Sequence, residues 1–365
     1  MVELLTTKNI IHMKLLHIAP IGHIAEGIGT VLTKISEEQL RQGIDVRIYS
    51  IYENKIYHDV DIKHIKSIDE FKESLVDFKP DIVIFHSLYH MQYLSMANFL
   101  QQKEIPYLIQ MHGALSINNY KKNKFKKWLA NLLFFNSFMK NARRIIYLNH
   151  GEYENCIVKK INPQFLIIPN GCDCISSFRE RQIGEIINMV FVGRIDIHHK
   201  ALDILADAIR CLKQKNYNQI CLSIYGINNE KDMDALKKLY YGLEDIVHLC
   251  PGVYGEAKEK VLRDADMFVL VSRFEGMPMG VLEALSFGVP CFVTPGTNMA
   301  EYIAEYKAGW ITSLDPEQIA SDMISAVSCL KKSPSVYQRG SIELAKSLSW
   351  ESIVSRSKQE LMNIK

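Results

Sequence analysis

Short apolar runs and amphipathic stretches alternate along this chain in two successive sets. In the N-terminal half the runs predict strands near residues 14–19, 45–51, 81–86, 106–111, 144–148 and 165–168, with an amphipathic helix at about 29–42. In the C-terminal half they predict strands near residues 189–193, 220–225, 246–249, 267–271 and 291–294. Strands that alternate with helices favour parallel sheets covered by helices on both faces. The predicted fold class is therefore α/β, with two Rossmann-like, doubly wound parallel-sheet domains.

The boundary between the two predicted domains falls near a turn and a polar stretch. Asn170 and Gly171 favour a turn, and residues 176–185 are polar. The expected order is an N-terminal extension, a first domain, a second domain and a C-terminal helix, at residues 1–12, 13–175, 186–345 and 346–365. The extension is either flexible or lies before the native start.

Composition narrows the class of protein. The 365 residues are 48% hydrophobic, which is enough to fill two cores. No apolar run approaches the roughly 18 residues of a membrane span, and the N-terminus lacks the features of a signal peptide, so a cytoplasmic location is expected. The eight cysteines are scattered, which favours reduced thiols over a disulfide framework. Cys172 and Cys174 lack a second Cys or His pair at ligand spacing, so a metal site there is not favoured.

Two carboxylates, Glu275 and Glu283, flank a turn between a predicted strand and a predicted helix. Parallel sheets bind ligands at the carboxyl ends of their strands, where a following helix offers free N–H groups. Carboxylates there can accept hydrogen bonds from sugar or ribose hydroxyls, and backbone amides can hold phosphate oxygens. The amides in question belong to Gly276, Met277 and Gly280. The alternative is one glutamate in an ordinary loop and one on a helix surface.

Several blocks of sequence, in order, resemble one enzyme family. The stretch Glu275-Gly-Met-Pro-Met-Gly-Val-Leu-Glu283 looks like the E-x7-E motif of the retaining family-4 glycosyltransferases of GT-B fold, among them bacterial surface-polysaccharide enzymes. Four further blocks also resemble the family. The strand from Lys14 with Glu26-Gly-Ile-Gly-Thr resembles its first strand and glycine-rich loop, and Ile168-Pro-Asn-Gly-Cys-Asp resembles its hinge. Val190-Phe-Val-Gly-Arg and His199-Lys-Ala-Leu-Asp resemble its F-V-G-R and K-G-L-D segment. The resemblance implies two domains facing a cleft, with the last helix packing back on the first domain.

The resemblance also implies roles for residues of the second domain. Glu275 contacts a hydroxyl of the transferred sugar, Glu283 accepts from the ribose hydroxyls, and the backbone of Gly252 and Val253 meets the base. The turn between the glutamates completes the donor site with Gly276, Met277, Pro278 and Gly280.

Positive charge for the donor's diphosphate is expected from Arg194 and Lys200. Arg194 follows a predicted strand and Lys200 begins the next helix, so a guanidinium and an ammonium can meet two phosphates. The alternative is a surface pair beside a loop. Because these cations replace a metal, neither a metal nor another cofactor is expected, and three Asp-x-Asp strings are interpreted as structural. Ala201 stands where the family usually has glycine.

The first domain offers fewer candidates. Gly27 and Gly29 permit the backbone to approach the donor phosphate and the acceptor. His112 follows a buried strand and resembles the family's histidine beside the donor sugar; it is the fourth candidate catalytic residue, with Glu275, Arg194 and Lys200. A single histidine after a strand can also be structural. His86, at the end of another strand, is a second candidate of the same kind.

Charge is concentrated in residues 105–151, which hold eight Lys or Arg and no Asp or Glu. With +2 overall, the remainder carries 2 − 8 = −6. Within 121–144, helical spacing predicts an apolar stripe next to lysines: Phe125, Trp128, Leu129, Leu132, Leu133, Phe135 and Met139. Such a helix can lie on an anionic membrane surface, or its stripe can pack on the sheet. Nucleic acid is not expected, since no recognition fold accompanies the charge.

The expected function is transfer of a hexose-type sugar, with retention, from a nucleotide-diphosphate donor, with UDP favoured. The acceptor is a lipid-linked or free saccharide, and the pathway is bacterial surface polysaccharide or lipopolysaccharide biosynthesis. The alternatives are a sugar-nucleotide epimerase of GT-B fold, a transferase for a soluble acceptor, and a non-catalytic sugar-nucleotide-binding or membrane-adaptor protein. The sequence leaves the acceptor, linkage and oligomeric state open.

Overall fold

The chain forms two compact units, seen in a computed structural model that describes residues 13–22, 27–53, 61–112, 130–174 and 180–364. The first unit runs to Ile168 and resumes at Val354, and the second is Pro169–Ile353. Each unit is built on one parallel sheet.

The first unit contains a seven-stranded sheet in the order β3-β2-β1-β4-β5-β6-β7. Its strands are β1 Lys14–Ala19, β2 Asp45–Ser50, β3 Ile62–His64, β4 Ile82–His86, β5 Tyr107–Gln110, β6 Arg144–Tyr147 and β7 Phe165–Ile167. Its helices are α1 Gly27–Arg41, α2 Ile68–Phe78, α3 Met91–Gln102, α4 Asn136–Asn141 and α5 His150–Glu154, with a π-helix at Asn131–Phe135 and a 3-10 turn at Ile157–Lys160.

The core of the first unit forms around its central strands β4 and β5, which are buried along their whole length. Every residue of β4 is buried, as expected for a central strand of a covered parallel sheet. Phe85 on this strand lies edge-on to Tyr107 and Phe138, with ring centroids 5.6 and 5.3 Å away. This aromatic cluster anchors α4 and β5 to the centre of the sheet.

The second unit contains a six-stranded sheet in the order β10-β9-β8-β11-β12-β13. Its strands are β8 Ile187–Val192, β9 Ile220–Ile227, β10 Val247–Pro251, β11 Met267–Leu270, β12 Cys291–Val293 and β13 Gly309–Ile311. Its helices are α6 Leu202–Gln214, α7 Glu230–Leu239, α8 Gly255–Asp264, α9 Met279–Ser286, α10 Ala300–Glu305, α11 Pro316–Lys332, α12 Pro334–Ser347 and the start of α13 Trp350–Met362, with a 3-10 turn at Pro295–Thr297. From Val354 onward, α13 belongs to the first unit.

The predicted pair of doubly wound parallel sheets is confirmed, and each predicted strand overlaps an observed one. Two strands were missed, Ile62–His64 and Gly309–Ile311. Both have three residues and lie at sheet edges, where a run is too short to show a period. Helix α1 begins two residues earlier than predicted, at Gly27.

The boundary between the units lies after Ile168, seven residues before the predicted end of the first domain at residue 175. Residues from Pro169 onward belong to the second unit because the segment pairs with the end of α12. The Cys172 amide donates to the Leu348 carbonyl at 3.0 Å, and the Trp350 amide donates to the Cys172 carbonyl at 3.3 Å. Gly171 lies against the Trp350 ring, where a Cβ would come within 2.4 Å of the indole.

Across the described ranges, no helix combines the length and apolar character that crossing a bilayer requires.

Candidate functional site

Glu275 and Lys200, both predicted from the sequence, lie together in the second unit. The Lys200 ammonium donates to Glu275 Oε1 at 2.5 Å, and the Ser272 hydroxyl donates to the same oxygen at 2.8 Å. The carboxylate is 10% exposed and the ammonium side chain 15%. A charge-assisted bond in such a poorly hydrated place is stronger than a surface ion pair. The loop after β11 and the loop before α6 are therefore joined by one buried ion pair.

The backbone of Glu275 is fixed as firmly as its side chain. Its amide donates to the Gly296 carbonyl at 2.7 Å, and Asn298 Nδ2 donates to the Glu275 carbonyl at 2.7 Å. Gly296 permits this approach, because a Cβ there would fall 2.6 Å from the Ser272 carbonyl oxygen. The carboxylate is thus preorganised on a rigid loop.

His199, whose role sequence reasoning missed, packs beside this pair. Its ring stacks on Phe274 with centroids 4.3 Å apart, and its Nε2 lies 2.6 Å from the Phe274 carbonyl oxygen and 3.6 Å from Glu275 Oε2. Burial lowers the pKa of His199, so a neutral ring donates its Nε2–H to the carbonyl. The only signal in the sequence was its place before Lys200.

The turn at Ala201 keeps the shape that glycine usually provides. Ala201 has φ 51° and ψ 38°, in the left-handed region, and is fully buried. An alanine there costs roughly 1–2 kcal/mol relative to a right-handed conformation. The turn that positions Lys200 is therefore retained with some backbone strain.

Arg194 differs from Lys200 in exposure. Its side chain is 73% exposed, and its ion pair with Asp196 is long, at 3.8 Å. Arg194 follows Gly193, whose carbonyl oxygen would be 1.8 Å from a Cβ on Gly226. The two expected cations are thus one buried, paired ammonium and one guanidinium exposed to solvent.

Glu283 lies on α9 and is held by a partner that the sequence did not reveal. The Lys258 ammonium, from α8, donates to Glu283 Oε1 at 2.6 Å, and the carboxylate is 28% exposed. Burial raises the pKa of Glu283, whereas Lys258 lowers it. No motif marks Lys258, because its role depends on how α8 packs beside α9.

The turn before α9 carries the remaining residues predicted between the glutamates. Met277 is buried, and its carbonyl accepts from Asn170 Nδ2 at 3.2 Å. Pro278 is the N-cap of α9, and Gly280 lies in the first turn, where a Cβ would be 3.2 Å from the Val192 carbonyl oxygen. The absence of a side chain at residue 280 lets α9 pack closely on β8. The helix N-terminus, with its partial positive charge, therefore lies beside Gly276.

Gly252 and Val253 follow β10, as predicted. The Gly252 amide donates to the Ile227 carbonyl at 2.9 Å, and a Cβ on Gly252 would be 2.5 Å from Asn228 Oδ1. The Tyr254 hydroxyl donates to the same Asn228 oxygen at 3.1 Å. Asn228 and Tyr254 were not predicted.

In the first unit, Gly27 and Gly29 lie in the first turn of α1, not in a loop before it. Being helical, neither needs a positive φ; what they offer is two positions without a side chain in the N-terminal turn. His112 follows β5 with φ 46°, and its Nε2 lies 2.9 Å from His86 Nδ1. The structure thus joins the two predicted histidines.

The predicted basic amphipathic helix is described only in part, since residues 113–129 lie outside the described ranges. Leu132, Leu133 and Phe134 are 57%, 58% and 47% exposed, whereas Phe135 and Met139 are buried. The predicted stripe was therefore wrong for its second half. The π-helix at Asn131–Phe135 has a wider turn than an α-helix, which shifts the residues that follow to another face.

Comparison with known proteins shows that part of the chain matches a family model and that the fold is shared with solved structures. Residues 187–329 match the family described as Glycosyl transferases group 1. The putative colanic acid biosynthesis glycosyltransferase WcaL of Escherichia coli is 28% identical over 40% of this chain and 36% of its own length. GDP-mannose:cellobiosyl-diphosphopolyprenol alpha-mannosyltransferase of Xanthomonas oryzae is 22% identical over 68% of this chain and 64% of its own length. The chain thus spans less than two thirds of these curated relatives.

A solved structure with the same fold is Anabaena HepE in complex with UDP and glucose, at TM-score 0.71 and 14% identity, covering 96% of this chain and 100% of that one. The predicted GT-B fold is thereby confirmed. The residues that match the Glycosyl transferases group 1 model belong to the second unit, and every site residue described above from Arg194 to Glu283 lies within that match.

Proposed function

We propose that this protein is a retaining, metal-independent glycosyltransferase. It moves a hexose-type sugar from a nucleotide-diphosphate donor, UDP first among the bases, to a lipid-linked saccharide in bacterial surface polysaccharide biosynthesis. The observation that supports this most is the Lys200–Glu275–Ser272 cluster, placed inside a group 1 glycosyltransferase domain. Anabaena HepE, bound to UDP, favours UDP, while the Xanthomonas relative, named for GDP-mannose, makes GDP the first competitor.

Lys200 and Glu275 bind different parts of the donor. An ammonium has three N–H donors, and Glu275 uses one of them. The other two are available for phosphate oxygens, while Glu275 Oε2 accepts from a hydroxyl of the transferred sugar. Arg194, which is exposed and only distantly paired with Asp196, supplies the second cation for the diphosphate.

Glu283 binds the ribose. Two adjacent hydroxyls donate best to an ionised carboxylate, and the bond from Lys258 opposes the effect of burial, which favours the neutral acid. The backbone at Gly252 and Val253 meets the base, beside Asn228 and Tyr254.

In the reaction, the bond between the anomeric carbon and the donor phosphate oxygen breaks, and a bond from the acceptor oxygen forms on the same face. The acceptor's proton passes to the departing phosphate oxygen, so no protein nucleophile is needed. Negative charge builds up on the leaving diphosphate, and Arg194 and Lys200 stabilise it where a metal would otherwise act. Loss of either cation is therefore expected to affect rate more than donor binding.

The proposal for the acceptor side rests on the exposed apolar residues Leu132, Leu133 and Phe134, which are separated by four residues from the end of the lysine-rich segment 121–127. Apolar side chains next to basic ones suit an anionic bilayer, and the Xanthomonas relative is named for a diphosphopolyprenol acceptor. We therefore place the protein at the cytoplasmic face of a membrane. Vesicles containing phosphatidylglycerol should bind wild type about tenfold more tightly than the triple variant Leu132→Ser, Leu133→Ser, Phe134→Ser. Equal binding would contradict membrane contact.

The test of the function uses the full chain with chelator and a panel of UDP-, GDP- and ADP-sugars. One donor should raise the melting temperature and be slowly hydrolysed, and hydrolysis should be lost in Arg194→Ala and Glu275→Ala but kept in Arg263→Ala, a matched change at an exposed arginine of the same unit. Release of an epimerised sugar would favour an epimerase. If no donor raises the melting temperature or is hydrolysed, a non-catalytic protein would be favoured.

A further inference from the structure

Four polar side chains form a hydrogen-bonded row through the first unit, which we call the histidine row: Gln39, His17, His86 and His112. Gln39 lies on α1, and the histidines lie on or just after β1, β4 and β5, which are adjacent in the sheet. In the strand register His17 pairs with Ile84 and His86 pairs with Gln110. Each histidine is therefore two residues further along than its neighbour, which keeps all three on one face of the sheet.

The row is continuous. Gln39 Oε1 lies 3.0 Å from His17 Nε2, His17 Nδ1 lies 2.9 Å from His86 Nε2, and His86 Nδ1 lies 2.9 Å from His112 Nε2. Gln39, His17 and His86 are at most 2% exposed, while His112 is half-buried at the carboxyl edge of the sheet. Within the described ranges, His112 Nδ1 has no hydrogen-bond partner in the protein.

Neutral rings give such a row only two possible states. A neutral imidazole has one N–H and one lone pair, so every bond in the row must point the same way. With the Gln39 oxygen at the end, each ring carries its proton on Nε2, and His112 presents a bare Nδ1. If the amide nitrogen of Gln39 faced His17, every proton would move to Nδ1, and His112 would present an N–H.

Burial favours the neutral form of the three imidazole rings in the histidine row. It lowers the pKa of His17 and of His112 to about 4 each, and it also lowers the pKa of His86 well below its usual value.

We propose that Gln39 is a positioning residue: it fixes, through His17 and His86, the tautomer of His112, so that His112 Nδ1 accepts a hydrogen bond from a substrate hydroxyl. A carboxylate or phosphate at that position would face a lone pair and be rejected. The substrate group is therefore a neutral, hydroxyl-bearing part of a sugar. This last step rests on the proposed function, whereas the control of the tautomer does not.

The experiment begins with ¹⁵N-histidine NMR of the full chain, which distinguishes Nδ1–H from Nε2–H rings. Wild type should show Nε2–H for all three rings. Gln39→Met, of similar size but without the acceptor, should give a mixture of tautomers at His112, and Gln39→Glu, which can only accept when ionised, should restore Nε2–H. Gln92→Met, at an exposed position on α3, is the matched control. An Nδ1–H tautomer at His112 of wild type would overturn the proposal, whether or not the variants fold, as would an unchanged His112 in folded Gln39→Met.

Kinetics test the link to substrate. With the donor identified above, Gln39→Met should lower kcat about tenfold with little change in the donor KM, and Gln39→Glu should recover most of the loss. Normal kinetics in a variant with mixed tautomers would overturn the link to the hydroxyl. If wild type shows the Nε2–H row but turns over no donor, the proposed function fails and the control of the tautomer stands.

Discussion

The side chains predicted to bind the donor in the second unit, Arg194, Lys200, Glu275 and Glu283, are charged residue types, whereas those of the histidine row in the first unit are neutral. In the second unit, Lys200 pairs with Glu275 and Lys258 with Glu283, each bond at 2.6 Å or less. In the first unit, burial keeps His17 and its neighbours uncharged. Fixed charges suit a diphosphate, which brings its own charge, while a neutral row suits hydroxyls, which need only an acceptor.

The two regions also differ in how far the sequence reveals them. Short contiguous sequence patterns contain four of the predicted site residues, so these could be predicted without knowledge of the fold: Arg194, Lys200, Glu275 and Glu283. The histidine row is spread from residue 17 to residue 112, and only the sheet order brings its members together. His17 and Gln39 were therefore missed, although the strands that carry His17 and His86 were predicted almost residue for residue.

Removing the buried cation of the second unit should have the largest effect. Lys200→Met keeps the length of the side chain and loses the charge, so kcat should fall about 10²–10³-fold while donor affinity changes less than tenfold. Steady-state kinetics and donor binding measured together check this. Lys213→Met, at an exposed lysine on α6 that pairs with Asp245, is the control. A kcat within threefold of wild type would show that Lys200 is structural.

Gly226→Ala should disturb the donor side alone. Gly226 has φ 147°, and a Cβ would lie 1.8 Å from the Gly193 carbonyl oxygen, so the loop that carries Arg194 must move. The free energy of unfolding should fall by about 3 kcal/mol or more, measured by urea titration. Gly242→Ala, at φ 78° in open space, should cost only about 1 kcal/mol. The histidine NMR signals of the first unit should not change in either variant.

Acid should weaken the first unit before the second. The pKa of His17 and of His112 is depressed to about 4 in the folded state, so the unfolded state binds more protons as the pH falls below about 6.5. Between pH 7.5 and pH 5.5 each histidine should remove about 1.4 kcal/mol of stability. Amide hydrogen exchange should show a larger loss in β1 and β4, whose unit contains His17, His86 and His112, than in β8 and β11, whose unit contains His199. Equal losses in both sheets would contradict a neutral, buried row.

Lys258→Met should have the smallest effect. Without the ammonium, burial alone acts on Glu283, and the carboxyl becomes a poorer acceptor for ribose. The donor KM should rise about tenfold, with kcat nearly unchanged, because the ribose contact is the same in the ground state and the transition state. A lower kcat at unchanged KM would place Lys258 nearer the reacting atoms.

The features that the sequence did not reveal depend mainly on contacts between residues that are far apart in the chain. The contact of Lys258 with Glu283 depends on two helices lying side by side, and the stacking of His199 on Phe274 depends on two loops that are 75 residues apart. The π-helix at Asn131–Phe135 moved Phe135 and Met139 into the core, and no periodic pattern signals it. In contrast, Ala201 was flagged as a departure from the family pattern, and the structure shows a left-handed alanine in the same turn.

The most direct test of the account is the stereochemistry of transfer, followed by proton NMR with the preferred α-linked donor, a lipid-linked acceptor and excess chelator. The account predicts an α-linked product formed at an undiminished rate, since Arg194 and Lys200 stabilise the leaving diphosphate without a metal. A β-linked product, or a reaction that stops when the chelator is added, would contradict it.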